Sequence, residues 1–358
     1  MRVLVAGDRG YIGAVLVPFL RAAGHEVDGL DTGFYEGCDL GPGPEPLGSR
    51  LPRDVRQVEV PDLATYDAVV CLAALSNDPL GNLNRAATFS VNLDGTLALA
   101  KAAKRAGVQR FLFASSCSLY GAAGAAAVAE DAQFAPVTAY GEAKVLAERR
   151  LSALADDHFS PVYLRNATAY GFSPRLRLDI VVNNLAALAA TSLQIRLESD
   201  GTPWRPLVHV EDISRAMLAA LEAQRELVHD QAFNVGRAED NVQVRDIADM
   251  VADLVPGSAV SFAAGAGPDL RSYRVDFSKL SETFSDLNLR WNVTAGISEL
   301  LQSYAAHNLT PADLASSRYV RLQRIRELLS DGTIDEMLYR RADAWPTAPS
   351  LQPAQARS

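Results

Sequence analysis

Lysine is scarce in this 358-residue chain. Of 34 Lys and Arg residues only four are lysine: Lys101, Lys104, Lys144 and Lys279. A generic cation here is an arginine, so each lysine invites a reason for being a compact ammonium. Cysteine is nearly as rare. Cys38, Cys71 and Cys117 are odd in number and form no C-x-x-C, which excludes a disulfide framework and a zinc site and fits a reducing cytoplasm. The five histidines have no metal-ligand spacing, so no metal is expected. No apolar run approaches the roughly 18 residues that a membrane span needs. The opening "MRVLVAGDRG" meets glycine after one short run, so it reads as a strand and turn rather than a secretory signal. Positive charge is in deficit. The net charge of −9 argues against nucleic acid or an anionic membrane as partner, while leaving room for a local basic pocket.

What is present is ordinary for a globular protein: 48% hydrophobic and 22% charged residues. The length suits one large domain with a smaller lobe. Short apolar runs at 2–6, 25–30, 55–60, 67–73, 110–116 and 161–167 read as strands. Helical spacing appears at 11–24, 86–107 and 139–155. That alternation predicts an α/β fold, a doubly wound parallel sheet of Rossmann type. Residues 33–53, rich in Gly and Pro, read as a loop excursion.

After about residue 172 the rhythm breaks, which predicts a smaller C-terminal α/β lobe over 173–307. The helix at 210–223 and the strand at 232–236 predict a return of 210–240 to the first domain, 1–172. Residues 308–344 read as a helical extension, and 345–358, proline-bearing and polar, as a disordered tail.

Between the first strand and first helix lie Gly7, Gly10 and Gly13. Gly7 permits a tight turn, Gly10 a close backbone approach to a pyrophosphate, and Gly13 close packing of helix on strand. Asp31 ends the second strand candidate, where a carboxylate accepts bonds from an adenosine ribose and repels a 2′-phosphate. The expected cofactor is therefore NAD rather than NADP.

Tyr140 and Lys144 stand four apart in a helical stretch and share a face. Upstream, "ASSCSLYG" places Ser116 at the end of a strand, where parallel sheets bind ligands. A phenol is a poor base at neutral pH, and an adjacent ammonium, with the positive nicotinamide ring nearby, is expected to lower its pKa. Tyr140 then takes a proton from a substrate hydroxyl, with Ser116 sharing it.

Together these residues resemble the extended short-chain dehydrogenase/reductase superfamily, within it the nucleotide-sugar epimerase/dehydratase group. The resemblance covers about residues 1–300 and rests also on "CLAALS" (71–76), "NLDGT" (92–96) and "RPLVHVEDI" (205–213). It implies Ser116, Tyr140 and Lys144 as the catalytic set. For the cofactor it implies Tyr11 and Ile12 of the glycine loop, Asp54 and Val55 at adenine, Leu72, Ala73 and Ala74 along the groove, Asn92 and Ser115 toward the nicotinamide, and Tyr170 capping that pocket. For the substrate it implies Ser76, Cys117, Ser118, Thr168, Asn183 at the diphosphate, and Arg205 and Arg274 at phosphate, beside Ser116 and Tyr140. Sugar 4,6-dehydratases carry Thr-Asp-Glu where this chain has Ser116, Cys117 and Ser118, so the chain looks most like the 4-epimerases. The implied partners are a nucleotide-sugar and a second copy of the chain in a homodimer. Two alternatives stay open: a reductase of an activated keto-sugar, and a non-catalytic dinucleotide sensor. "LSNDPLGNLN" (75–84) and "SPRLRLD" (173–179), both near the expected sugar position, have no assigned role.

Overall fold

The computed structural model describes residues 1–44, 47, 50–51, 53–121, 126–267 and 271–341. The predicted tail lies outside them. Seven strands make the main sheet: β1 (Arg2–Ala6), β2 (Glu26–Leu30), β3 (Arg50–Leu51), β4 (Ala68–Cys71), β5 (Arg110–Ser116), β6 (Ser160–Asn166) and β7 (Gln231–Val235). All pair parallel, in the order β7-β6-β5-β4-β1-β2-β3. The strand order reverses between β1 and β4, so the crevice beyond their carboxyl ends is where such a sheet holds ligands.

Alternation along each strand explains why the runs are apolar throughout. Val3, Val5, Val70 and Leu112 join the core on one face, with Leu16 and Leu20 of the helix Gly13–Ala22 and Ile213 of the helix Val210–Glu222. Leu4, Val69, Phe111 and Phe113 join the core on the other, with Leu97 and Ala147 of the helices Thr96–Ala106 and Ala139–Ser152. A strand covered on both sides needs no polar face.

The 55–60 strand prediction is wrong. Val55–Gln57 forms a 3-10 turn and Val60–Leu63 a short helix. Asp54 caps the turn by accepting from Arg56 N at 2.9 Å, and the Glu59–Asp62 capping box with Pro61 in the first turn starts the helix. The edge strand is instead Arg50–Leu51. The long helix predicted over 86–107 is interrupted by a π-helical segment, Ser90–Gly95. There Asn92 bonds both backbone groups of Leu75, at 2.8 and 3.1 Å, and so fixes the loop after β4.

The second lobe has its own core, built around Leu185, Ile195, Ile247 and Ile297. Its main sheet sets Trp204–His209 between Thr168–Tyr170 and Asn241–Gln243.

Candidate active site

The helix Ala139–Ser152 starts at Thr138, whose side chain accepts from Gly141 N at 3.2 Å. Tyr140, Lys144 and Glu148 then descend one stripe toward the sheet. Glu148 is locked to Arg165 of β6 at 2.7 Å, both side chains about 6% exposed, so the stripe cannot rotate. Lys144 Nζ donates to Ala114 O at 2.5 Å and lies 4.3 Å from the Phe113 ring centroid.

Above this stripe opens a cavity of about 760 Å³. Ser115, Ser116, Ser118, Tyr140 and Lys144 line its floor, with Ile12, Leu72, Ala74, Ser76, Thr168 and Arg205 around them. Ser116 Oγ accepts from Ser118 N at 3.1 Å and contacts Ser118 Oγ at 3.1 Å. Tyr140 faces Ser116, whose hydroxyl acts to lower the phenol's pKa.

The residues of the chain by themselves do not acidify Tyr140; the expectation counted the nicotinamide ring as well. Burial pushes its phenol up to about 12, and the nearby Ser116 hydroxyl only partly offsets this. Lys144 is spent on the Ala114 carbonyl, 5.8 Å from the tyrosine ring, and burial brings its own value down to about 8. The resting tyrosine is a neutral phenol.

Several expected contacts sit elsewhere. The Cys117 thiol bonds Arg165 O inside the core and faces away from the cavity. Asn183 is fully buried, accepting from Gly171 N and donating to Arg177 O, while its neighbour Asn184 lines the cavity. Tyr170 packs edge-on against His209 in the second core, outside the lining. Arg274 stacks over Trp204, and Arg271, three residues earlier, reaches the cavity. Asn92 acts through Leu75, as above. For Asn183 and Arg274 a nearby position, Asn184 or Arg271, lines the cavity instead, because register decides which side chain faces in.

The two unassigned stretches supply residues that sequence reasoning missed. Asn77 and Asp78 come from one, beside the expected Ser76, and Arg177 and Asp179 from the other, and all line the cavity. Arg177 pairs with Asp179 at 2.8 Å and donates to Ser76 Oγ at 3.0 Å; Asn77 donates to Asp179 at 2.9 Å. Asn77 holds φ at +115°, a conformation costly without glycine and stored at a site surrounded by fixed partners. Asp78 accepts from Thr138 at 2.6 Å and pairs with Arg271 at 2.7 Å. Their joint signal was a pair of charged, Pro-bearing stretches with no place in the helix–strand rhythm.

The glycine loop fits a dinucleotide. Gly7 has φ +94°, and a Cβ there would lie 2.9 Å from Ala73 N. A Cβ on Gly13 would fall 2.2 Å from Gly7 O, so helix and strand touch backbone to backbone. A Cβ on Gly10 would meet only Gly7 O, at 3.2 Å, leaving an open face over the N-terminus of the helix Gly13–Ala22, where intrahelical bonding leaves N–H groups to an anion. Tyr11 contributes backbone only, since its hydroxyl donates to Gly171 O at 2.6 Å. Asp31 accepts from Gly33 N at 2.7 Å and Arg9 N at 3.3 Å, leaving each oxygen a lone pair for a ribose. Asp54 is engaged by Arg56 at 2.5 Å, and Val55 is core. Asp31→Ala is expected to weaken NAD and narrow its advantage over NADP; titrations showing the same preference in both proteins would place Asp31 away from the ribose.

Comparison with known proteins agrees with this geometry. A family model described as "NAD dependent epimerase/dehydratase family" matches residues 3–236. UDP-glucose 4-epimerase of Bacillus subtilis (strain 168) is 27% identical over 300 residues, 74% of this chain and 88% of that one. Among solved structures, MoeE5 in complex with UDP-glucuronic acid and NAD is 26% identical with TM-score 0.73, covering 86% of this chain and 99% of that one. TunA, an NAD-dependent NDP-hexosamine 5,6-dehydratase, is 24% identical with TM-score 0.76, covering 85% and 98%, and shows the shared fold. The chain belongs to the NAD-dependent epimerase/dehydratase family, and NAD is its cofactor.

Proposed function

We propose that this protein is a nucleotide-sugar epimerase acting at C4. The observation that carries the reading is the convergence of Ser116, Tyr140 and Lys144 on the floor of a cavity that also holds Arg205 and Arg271. When bound, NAD supplies the oxidised ring that takes hydride from the sugar and returns it. The protein's part is proton and position. Tyr140 Oη takes the proton of the sugar hydroxyl, and the nearby Ser116 hydroxyl favours the ionised form. Ser118 and Ser116 offer hydroxyls that hold the oxygen of either stereoisomer. Arg205 suits the diphosphate, a guanidinium fork against paired anionic oxygens.

Against dehydration, positions 117 and 118 give a buried thiol and a serine where an acid would be needed. Of the carboxylates that reach the cavity, Asp78 is paired with Arg271 and Asp179 with Arg177, while Glu198 is exposed. Burial would raise Asp179, but Arg177 outweighs it and holds the group below its usual value, so it is no proton donor. In this reading residues 1–172 with 210–240 carry cofactor and 173–307 substrate. The resemblance supports a homodimer through the helices near 86–107 and 139–155, and the three free, buried cysteines suit a reducing cytoplasm. Among the described residues no helix is long and apolar enough to cross a membrane.

The test denatures purified protein, identifies the released dinucleotide, and screens nucleotide-sugars by proton NMR. Oxidised NAD with a new C4 stereoisomer is expected without added cofactor. An empty protein that consumes reduced cofactor and makes no isomer would replace this reading with a reductase.

A further inference from the structure

The C-terminal segment 318–341 lies beyond the 3–236 matched by the family, and solved neighbours that are covered almost completely leave about a seventh of this chain unmatched. It does not hang free. The helix Arg321–Ser330 and the turn after it cross from one expected adenosine contact to the other.

On the Asp31 side, Arg340 donates to Thr32 O at 2.9 Å and Gly33 O at 3.0 Å. Arg324 donates to Phe34 O at 3.0 Å, and Arg321 lies 4.1 Å from the Tyr35 ring centroid. On the Asp54 side, the same Arg56 that grips Asp54 donates to Met337 O at 2.7 Å and Leu338 O at 3.0 Å, and stacks 3.5 Å from the Tyr339 ring centroid. Between the two anchors, Ile325, Leu328, Ile334 and Leu338 are buried against Phe34, Leu75, Leu80 and Ala87.

From this we infer that the segment is a strap closing the adenosine end of the cofactor cleft, and that it holds NAD in place between turnovers. The inference rests on NAD binding at the glycine loop, not on the epimerase reading. A dinucleotide leaving past Asp31 and Asp54 must part the strap from at least one wall. The cost is several hydrogen bonds and an apolar cluster, so release is slow. Retention suits an enzyme that returns its hydride to the substrate, since it has no need to exchange cofactor.

The test uses the full chain and NAD itself. Tyr339→Ala/Arg340→Ala removes the stack on Arg56 and both bonds to residues 32–33. NAD release is timed by chase with a fluorescent NAD analogue, and hydrogen exchange over 319–341 is followed in wild type and variant. The expected result is release at least tenfold faster in the variant, and slower exchange of the wild-type strap when NAD is added. The second measurement stands even if the variant does not fold. Unchanged release from a variant whose strap exchanges faster, or a wild-type strap indifferent to NAD, overturns the proposal. Wild type that binds no NAD at all would remove the cofactor assignment, and the strap's role with it.

Discussion

Tyr140→Phe is expected to cut turnover by about 10²–10⁴-fold, the range for loss of a positioned acid–base group, while leaving the bound dinucleotide in place. The substitution deletes one oxygen and keeps the ring, so the tight packing of Tyr140 against Gly81, where an added Cβ would stand 3.1 Å from the tyrosine Cβ, is undisturbed. What is lost is the hydroxyl that faces Ser116 in the cavity floor. In energy this is roughly 3–5 kcal/mol of barrier. A pH signature goes with it. The wild-type phenol sits near 12, so its ionised fraction, and kcat/KM, climb as pH rises from 7 toward 9. The residual rate of the variant lacks that slope. Stereoisomer formation by NMR and extraction of bound cofactor report both halves. A variant within tenfold of wild type would end the role of Tyr140 as base.

The second large effect is structural. Glu148→Ala is expected to cost about 3–5 kcal/mol, because it leaves the Arg165 guanidinium charged and buried without its carboxylate. Arg165 also donates to Tyr120 at 3.0 Å and Glu130 O at 2.7 Å, so it cannot swing out to water without breaking those bonds. For a chain of this size the melting temperature should fall by on the order of 10 °C. Glu148→Leu with Arg165→Met, which removes both charges and keeps volume, should recover much of the loss. Calorimetry on the three proteins decides it; a single variant that melts within 2 °C of wild type would show that the pair is not a structural lock. The pair anchors the stripe carrying Tyr140 and Lys144, so a loosened variant that still folds should also lose rate.

The parallel sheet, the glycine loop and the Ser116, Tyr140 and Lys144 set could all be read from the sequence. Each is a local pattern: an apolar run, a glycine spacing, a pair one helical turn apart. The readings that failed depended on register. Asn183 and Asn184 are equally polar and adjacent, and only the packing of the second lobe decides which faces the cavity. The same holds for Arg271 against Arg274. The 55–60 strand failed because one carboxylate, Asp54, bent the chain through its own backbone bond.

Lys144 is the clearest division. The sequence by itself determined that an ammonium shares a helical face with a phenol, because 3.6 residues per turn place positions four apart together. Only the tertiary structure decided what the pair does to each pKa. Burial over Phe113 and a carbonyl partner on β5 turn the lysine inward and leave the phenol neutral. Desolvation depends on everything packed around a group, and around Lys144 that includes Phe113 and Ala114 of β5 and Cys71 of β4, far apart in the chain. The strap is of the same kind: nothing in "RLQRIRELLS" says that its arginines grip the loop after β2.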